Sequence, residues 1–82
     1  MSYSKDRLDQ IWDKGKVIRG KNPNLYRKDK YGNTMYRYSY GLESPMAWEV
    51  DHSKPKSLRG TDNLNNLQPM NPIANRRKSN DY

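Results

Sequence analysis

The sequence predicts a small α+β domain with an N-terminal helix, a β-hairpin and a C-terminal strand–loop–strand–helix unit. Apolar residues near the N-terminus repeat with a helical period, and the middle of the chain alternates around turn residues. Near the C-terminus, two short apolar runs precede a helix start. A chain of 82 residues suffices for one domain with one modest core. We therefore interpret 1–82 as a single domain, in which 1–45 supports the unit at 46–80.

The first predicted element is a helix over residues 4–14. Leu8, Ile11 and Trp12 are spaced i, i+3 and i+4, which places them on one helix face. Ser4 is a suitable N-cap, and Gly15 is a suitable C-terminal stop. We expect the apolar face to pack on the rest of the domain.

Residues 25–38 are predicted to form a β-hairpin. The segments LYRKD and TMYRY alternate on either side of the turn residues KYGN. We expect the basic side chains of the hairpin at or near solvent-facing positions; these are Arg27, Lys28, Lys30 and Arg37.

The C-terminal unit is predicted to begin with a short strand, Trp48–Asp51, followed by a polar loop over 53–62. A turn of helix or a bend at 63–66 leads into a second short strand, Leu67–Met70. The order is therefore strand, loop, strand and helix.

The helix of this unit has a clear predicted start. Asn71 is a suitable N-cap, and Pro72 fits the first helical position because its missing N–H has no intrahelical partner there. We expect the helix to run to about Lys78, with basic residues in the last turn complementing the helix dipole.

Hydrophobic residues make up only 32% of the chain, so we expect a thin core. The bulky apolar positions available for it are Leu8, Ile11, Trp12, Val17, Ile18, Leu25, Tyr26, Met35, Tyr36, Trp48, Val50, Leu64, Leu67, Met70 and Ile73.

The formal net charge of +7 favours polyanionic partners, with nucleic acid first among them. Between Lys14 and Lys30 the chain carries seven basic residues and one acid, Asp29. A basic ribbon with tyrosines could follow a nucleic-acid backbone. Composition alone favours the plainer alternative of a solvated hairpin face.

The chain contains no cysteine, which excludes disulfides and cysteine-ligated zinc. No segment has the apolar length of a membrane span, and the N-terminus lacks the apolar core of a signal peptide. We expect a cytoplasmic protein without a membrane partner.

Three residue types in the C-terminal unit suit metal-assisted hydrolysis. His52, the only histidine, is the side chain suited to general-base catalysis near neutral pH. The carboxylate of Asp51 and the amide oxygen of Asn75 are hard ligands suited to Mg²⁺ or Mn²⁺. Each also has a plainer interpretation: a surface histidine, a turn-capping aspartate and a solvent-facing asparagine.

Order and spacing favour the catalytic interpretation. Asp51 and His52 are followed by Asn66 fourteen residues after the histidine and by Asn75 nine residues further on. The flanking words KP, DNL, NLQP and NRRKS complete the pattern. This pattern resembles the HNH nuclease family, which implies a ββα-metal fold, a divalent cation and DNA as substrate.

The resemblance implies a role for each motif residue. His52 matches the general base, Asp51 and Asn75 match the metal ligands, and Asn66 matches the asparagine that holds the intervening loop through backbone hydrogen bonds. Asn75 stands where many relatives have histidine, a variant associated with Mg²⁺-type sites. The implied cofactor is one divalent cation, Mg²⁺ or alternatively Mn²⁺, without a structural zinc site.

The candidate contacts to DNA are chosen by charge and position alone. The candidates are Lys54, Lys56, Arg59, Arg76, Arg77, Lys78, Arg27 and Lys28. No base-reading module is recognisable, so we expect low sequence preference. A homodimer and a recruiting protein partner are both open arrangements.

Three other functions are consistent with the sequence. The first is a non-catalytic nucleic-acid-binding module on the same fold, and the second is a toxin-type nuclease with an inhibitor partner. The third is a small basic structural protein in which the motif is accidental.

Overall fold

The computed structural model describes residues 3–79, the last two by their backbone alone. Two α-helices and five β-strands follow one another in the order α1 (Lys5–Trp12), β1 (Lys16–Val17), β2 (Tyr26–Lys28), β3 (Thr34–Tyr36), β4 (Glu49–His52), β5 (Leu67–Met70) and α2 (Pro72–Ser79). Single 3₁₀ turns lie at Arg37–Ser39, Lys56–Leu58 and Leu64–Asn66. The predicted α+β class and the C-terminal ββα order are confirmed.

Helix α1 begins as its sequence predicts and ends two residues early. The hydroxyl of Ser4 accepts a hydrogen bond from the backbone N–H of Arg7 at 3.1 Å, which satisfies one of the free donors of the first turn. The last turn tightens beyond Trp12, because the N–H of Gly15 donates to the carbonyl of Trp12. The helix buries Ile11 and Trp12.

The hairpin is confirmed and belongs to a three-stranded antiparallel sheet of order β1-β2-β3. Tyr26 pairs with Tyr36, and Lys28 pairs with Thr34. The edge strand β1 was not predicted, because two residues are too few to show an alternating pattern. Val17 lies on this edge with 63% of its surface exposed, so its predicted place in the core is wrong.

Strands β4 and β5 form a separate antiparallel pair that carries the motif. Asp51 pairs with Gln68, and His52 pairs with Leu67. Helix α2 follows directly: the side-chain oxygen of Asn71 accepts from the N–H groups of Ile73 and Ala74, at 3.1 and 3.0 Å. The predicted N-cap is therefore confirmed.

The core joins the N-terminal half of the chain to the motif. Its buried members are Ile11, Trp12, Met35, Trp48 and Leu67. The two indole rings lie 5.2 Å apart, tilted by 53°. Their N–H groups donate to the carbonyls of Pro23 and Arg37, at 2.9 and 2.8 Å, so both rings are buried without losing a hydrogen bond.

Two arginines of the hairpin region face inward, which corrects the expectation that they lie at the solvent. The Arg27 side chain is 13% exposed and donates to the carbonyls of Pro23 and Gly15, at 2.9 and 3.0 Å. The Arg37 guanidinium is 21% exposed and lies 2.7 Å from the carboxylate of Asp9. Alternation failed to predict this because arginine is long enough to reach carbonyls beyond its own strand face.

Within residues 3–79, none of the helices is long and apolar enough to cross a membrane.

Candidate functional site

The β4–β5 pair brings three of the four motif residues to one end of the sheet. Asp51 and His52 end β4, and Asn66 directly precedes β5. The N–H of Ser53 donates to the carbonyl of Asn66 at 2.9 Å, so the strand pairing continues to the mouth of the loop. Asn75 follows on α2.

His52 is held by a carboxylate from its own loop. Its Nε2 lies 2.7 Å from Oδ1 of Asp62. The other oxygen of Asp62, Oδ2, lies 2.9 Å from Nζ of Lys56, and the hydroxyl of Tyr3 donates to Oδ1 at 3.4 Å. The imidazole is therefore one end of a chain of charged and polar contacts.

These contacts keep Asp62 ionised. Hydrogen bonds from His52 and Lys56 lower the pKa of Asp62 from 3.8 to about 2. The same contact with Asp62 raises the pKa of Lys56 above its ordinary value. At neutral pH, Asp62 is therefore a carboxylate, which can only accept hydrogen bonds.

Asn66 spans the loop between the strands. Its amide oxygen accepts from the N–H of Lys54 at 2.8 Å, and its amide nitrogen donates to the carbonyls of Lys54 and Thr61, at 3.1 and 2.8 Å. One side chain thus ties both ends of the segment 54–61 together. This segment contains Lys56 and precedes Asp62, so its closure also positions the groups around His52.

Gly60 is required for the same closure. A Cβ at position 60 would lie 1.7 Å from the carbonyl oxygen of Lys54, a distance that excludes any side chain. The backbone of Gly60 and the side chain of Asn66 therefore both lie against the carbonyl of Lys54.

The contacts of Asp51 lead away from those of His52. Oδ2 of Asp51 accepts from the side-chain nitrogen of Gln68 at 2.8 Å, across the β4–β5 pair. Successive side chains of a strand point to opposite faces, which explains why the two neighbours have different partners. Gln68 fixes the orientation of the Asp51 carboxylate.

Asn75 belongs to a buried polar cluster built around Asp29, which is 1% exposed. Oδ1 of Asp29 accepts from the N–H groups of Tyr31 and Asn33, at 3.0 and 2.9 Å. Oδ2 accepts from the N–H of Asn71 at 3.0 Å and from the side-chain nitrogen of Asn75 at 3.3 Å. This carboxylate links the hairpin turn to the start of α2.

The cluster fixes which way the Asn75 amide points. Its nitrogen donates to Asp29 and also to the carbonyl of Asn71 at 2.8 Å. Its oxygen accepts from the side-chain nitrogen of Asn33 at 3.2 Å. Both partners of the nitrogen can only accept hydrogen bonds, so the NH₂ group must face them. The amide oxygen of Asn75 therefore faces Asn33.

Across residues 3–79, His, Cys, Asp and Glu side chains form no group of three that could hold a metal ion. The donor pair named by the motif, Asp51 and Asn75, consists of one carboxylate and one amide. Both have oxygen donors of the kind that would suit Mg²⁺ or Mn²⁺.

An open pocket of about 440 Å³ adjoins His52. It is lined by Tyr3, Tyr40, Gly41, Glu49, Val50, His52 and Lys56. Burial raises the pKa of the Tyr40 hydroxyl, so this group stays protonated at neutral pH. Because the pocket is open, the imidazole of His52 can be reached from solvent on this side.

The basic candidates divide by exposure. The exposed ones are Lys28, Lys54, Lys56, Arg59, Arg76 and Arg77. Arg27 is directed inward, and its contacts favour a structural role. The side chain of Lys78 falls outside the described part of the chain.

Two functional candidates, Asp62 and Asp29, were not predicted from the sequence. A signal existed for both: Asp62 is the only acidic residue between Asp51 and Asp81, and Asp29 is the only one between Asp13 and Glu43. Neither position indicates its partner, because the partner is set by the tertiary fold.

Comparison with known proteins agrees with this arrangement. A family profile described as HNH endonuclease matches residues 38–81, which is more than half of the chain. No curated protein and no solved structure gives a match. The matched segment contains the β4–β5 pair, the loop closed by Asn66 and helix α2. The chain belongs to the HNH endonuclease family.

Proposed function

We propose that this protein is a metal-dependent endonuclease that hydrolyses phosphodiester bonds in DNA. The observation that carries the proposal is the environment of His52. The only imidazole of the chain lies at a strand end beside an open pocket, bonded to a carboxylate, within the segment that matches the family.

His52 is the proposed general base. One of its nitrogens bonds to Asp62, and the ring borders the pocket, so its second nitrogen can take a proton from an attacking water. Asn66 supports this step by closing the loop that carries Lys56 and leads to Asp62.

Asp51 and Asn75 are the proposed ligands of one divalent cation, Mg²⁺ or alternatively Mn²⁺. The fit rests on the donor atoms: Gln68 orients the Asp51 carboxylate, and Asp29 holds the Asn75 amide nitrogen. The Asn75 oxygen accepts a hydrogen bond from Asn33, and an amide oxygen has two lone pairs, so it can also bind a cation. The chemistry supplied by a bound cation of this kind is neutralisation of phosphate charge and stabilisation of the leaving 3′ oxygen.

The exposed basic residues are the proposed contacts to the DNA backbone. Lys54 and Arg59 lie on the loop, and Arg76 and Arg77 lie on α2, so both flanks of the motif carry positive charge. These contacts position the phosphate chain and read no sequence. Both strands of a duplex can then be cut by successive nicks, by a second copy of the chain or with a recruiting partner.

A substrate panel tests the proposal. Supercoiled plasmid, linear duplex, single-stranded DNA and RNA of the same sequence are incubated with Mg²⁺, with Mn²⁺ and with EDTA. We expect metal-dependent cutting of DNA that leaves a 5′-phosphate and a 3′-hydroxyl, and no cutting in EDTA. Salt-sensitive binding of DNA without cutting in either metal would instead favour the non-catalytic binding module.

A further inference from the structure

We propose that Asp62 is the positioning residue of the general base: it holds the proton of His52 on Nε2 and so leaves Nδ1 as the nitrogen that accepts the proton of the attacking water. This inference deepens the proposed function and rests on it for the role of the imidazole. The tautomer itself can be measured without metal or substrate.

Hydrogen-bonding capacity decides which nitrogen of His52 carries the proton. A neutral imidazole has one N–H donor and one lone-pair acceptor, and an ionised carboxylate can only accept. Nε2 of His52 and Oδ1 of Asp62 are 2.7 Å apart, so the proton between them belongs to Nε2. The lone pair then resides on Nδ1, and only that nitrogen can act as the base.

Lys56 determines which side-chain atom of residue 62 faces the imidazole. Its ammonium lies 2.9 Å from Oδ2 of Asp62, on the oxygen that does not face the imidazole. The ammonium group is a donor only, so it can bond an oxygen of residue 62 but never an NH₂ group. The two oxygens of Asp62 thus serve three donors at once, His52 and Tyr3 on Oδ1 and Lys56 on Oδ2, which fixes the carboxylate plane.

This arrangement makes an unusual prediction for Asp62→Asn. Lys56 will select the amide oxygen, which turns the amide nitrogen towards His52. That nitrogen is a donor, so Nε2 must become the acceptor and the proton must move to Nδ1. The variant closest in shape to the native protein therefore presents the wrong tautomer, whereas Asp62→Ala merely releases the ring.

The test is ¹⁵N NMR of the imidazole, with the ring in its neutral form. The chain has one histidine, so the spectrum contains a single pair of ring nitrogens, and protonated and lone-pair nitrogens have very different chemical shifts. We expect the proton on Nε2 in the native protein, on Nδ1 in Asp62→Asn, and distributed over both in Asp62→Ala. Asp6→Asn, the same change at an exposed site on α1, should leave the spectrum native.

Cleavage rates give the second readout. We expect Asp62→Asn to cut at least about 100-fold more slowly than the native protein, and more slowly than Asp62→Ala. Adding Lys56→Met to Asp62→Asn frees the amide to turn and should return part of the Nε2–H signal. A purely structural role for Asp62 would rank the two single variants in the opposite order.

A native tautomer in Asp62→Asn, or a proton on Nδ1 in the native protein, overturns the inference. Failure of the proposed function is a separate result. If the native protein does not cut DNA but shows the expected tautomers, the endonuclease proposal fails while the Asp62–His52 relationship stands.

Discussion

The side-chain nitrogen of Asn75 donates to Oδ2 of Asp29 at 3.3 Å, although 46 residues separate the two. The family match begins at residue 38, so Asp29 lies outside it and yet contacts a motif residue inside it. The same oxygen accepts from the N–H of Asn71, which caps α2. The hairpin turn is therefore part of the structure that holds the motif helix in place.

Asp29→Asn should strongly destabilise the protein. It replaces a buried carboxylate oxygen by an NH₂ group that faces N–H donors, and each buried donor left unsatisfied costs about 1–3 kcal/mol. We expect the free energy of unfolding in urea to fall by about 3 kcal/mol. Glu43→Gln makes the same chemical change at a side chain that is 83% exposed, and it should change the free energy of unfolding little. A loss below about 1 kcal/mol for Asp29→Asn would contradict a structural role for this cluster.

Asn66→Ala should open the loop between the strands. The variant loses three hydrogen bonds to the backbone of Lys54 and Thr61, with an expected cost of about 2 kcal/mol. Trypsin should then cut faster after Lys56 and Arg59, as followed by mass spectrometry under native conditions.

The matched control for the loop is Asn65→Ala, because Asn65 is the exposed neighbour of Asn66. We expect this control to be cut by trypsin at the native rate. Equal cutting rates in the two variants would show that Asn66 does not close the loop.

Acid should weaken the protein partly through Asp62. The folded pKa of about 2 lies below the ordinary value of 3.8, so folding favours the ionised carboxylate. The stability gained in this way is fully present above pH 3.8 and is lost as the pH falls towards 2. The difference in melting temperature between the native protein and Asp62→Asn should therefore shrink across this window. A constant difference would show that the Asp62 contacts do not persist in solution.

Two arginines should separate DNA binding from stability. Arg77 is exposed on α2, so Arg77→Ala should lower DNA affinity and reduce the salt slope of binding by about 1, with little change in melting temperature. Arg27 donates to the partly buried carbonyls of Pro23 and Gly15, so Arg27→Ala should cost about 2 kcal/mol of stability. Fluorescence anisotropy across a salt series and urea unfolding measure the two effects. The reverse pattern would assign Arg27 to the DNA surface.

Local sequence signals predicted the elements of the motif, because each depends on a few adjacent residues. The N-cap at Asn71, the strand Leu67–Met70 and the hairpin at 25–38 all follow from spacing and turn chemistry. The edge strand Lys16–Val17 did not, because only pairing with β2 defines it.

The partners of the motif residues were beyond the reach of the same signals. The contact of Asp29 with Asn71 spans 42 residues and depends on how the hairpin packs against α2. Asp62 lies ten residues from His52 and meets it only because the loop folds back. Spacing could single out His52 and the loop-closing Asn66, but not Asp62 and Asp29, the carboxylates that contact the motif residues.

The most direct test of the endonuclease proposal is a plasmid-nicking time course with the native protein and His52→Ala, each with Mg²⁺, Mn²⁺ or EDTA. Circular dichroism and DNA binding are measured on the same samples to show that the variant is folded and binds. We predict metal-dependent nicking by the native protein, and loss of nicking by His52→Ala with binding retained. Nicking by His52→Ala at the native rate would contradict the assignment of His52 as the general base.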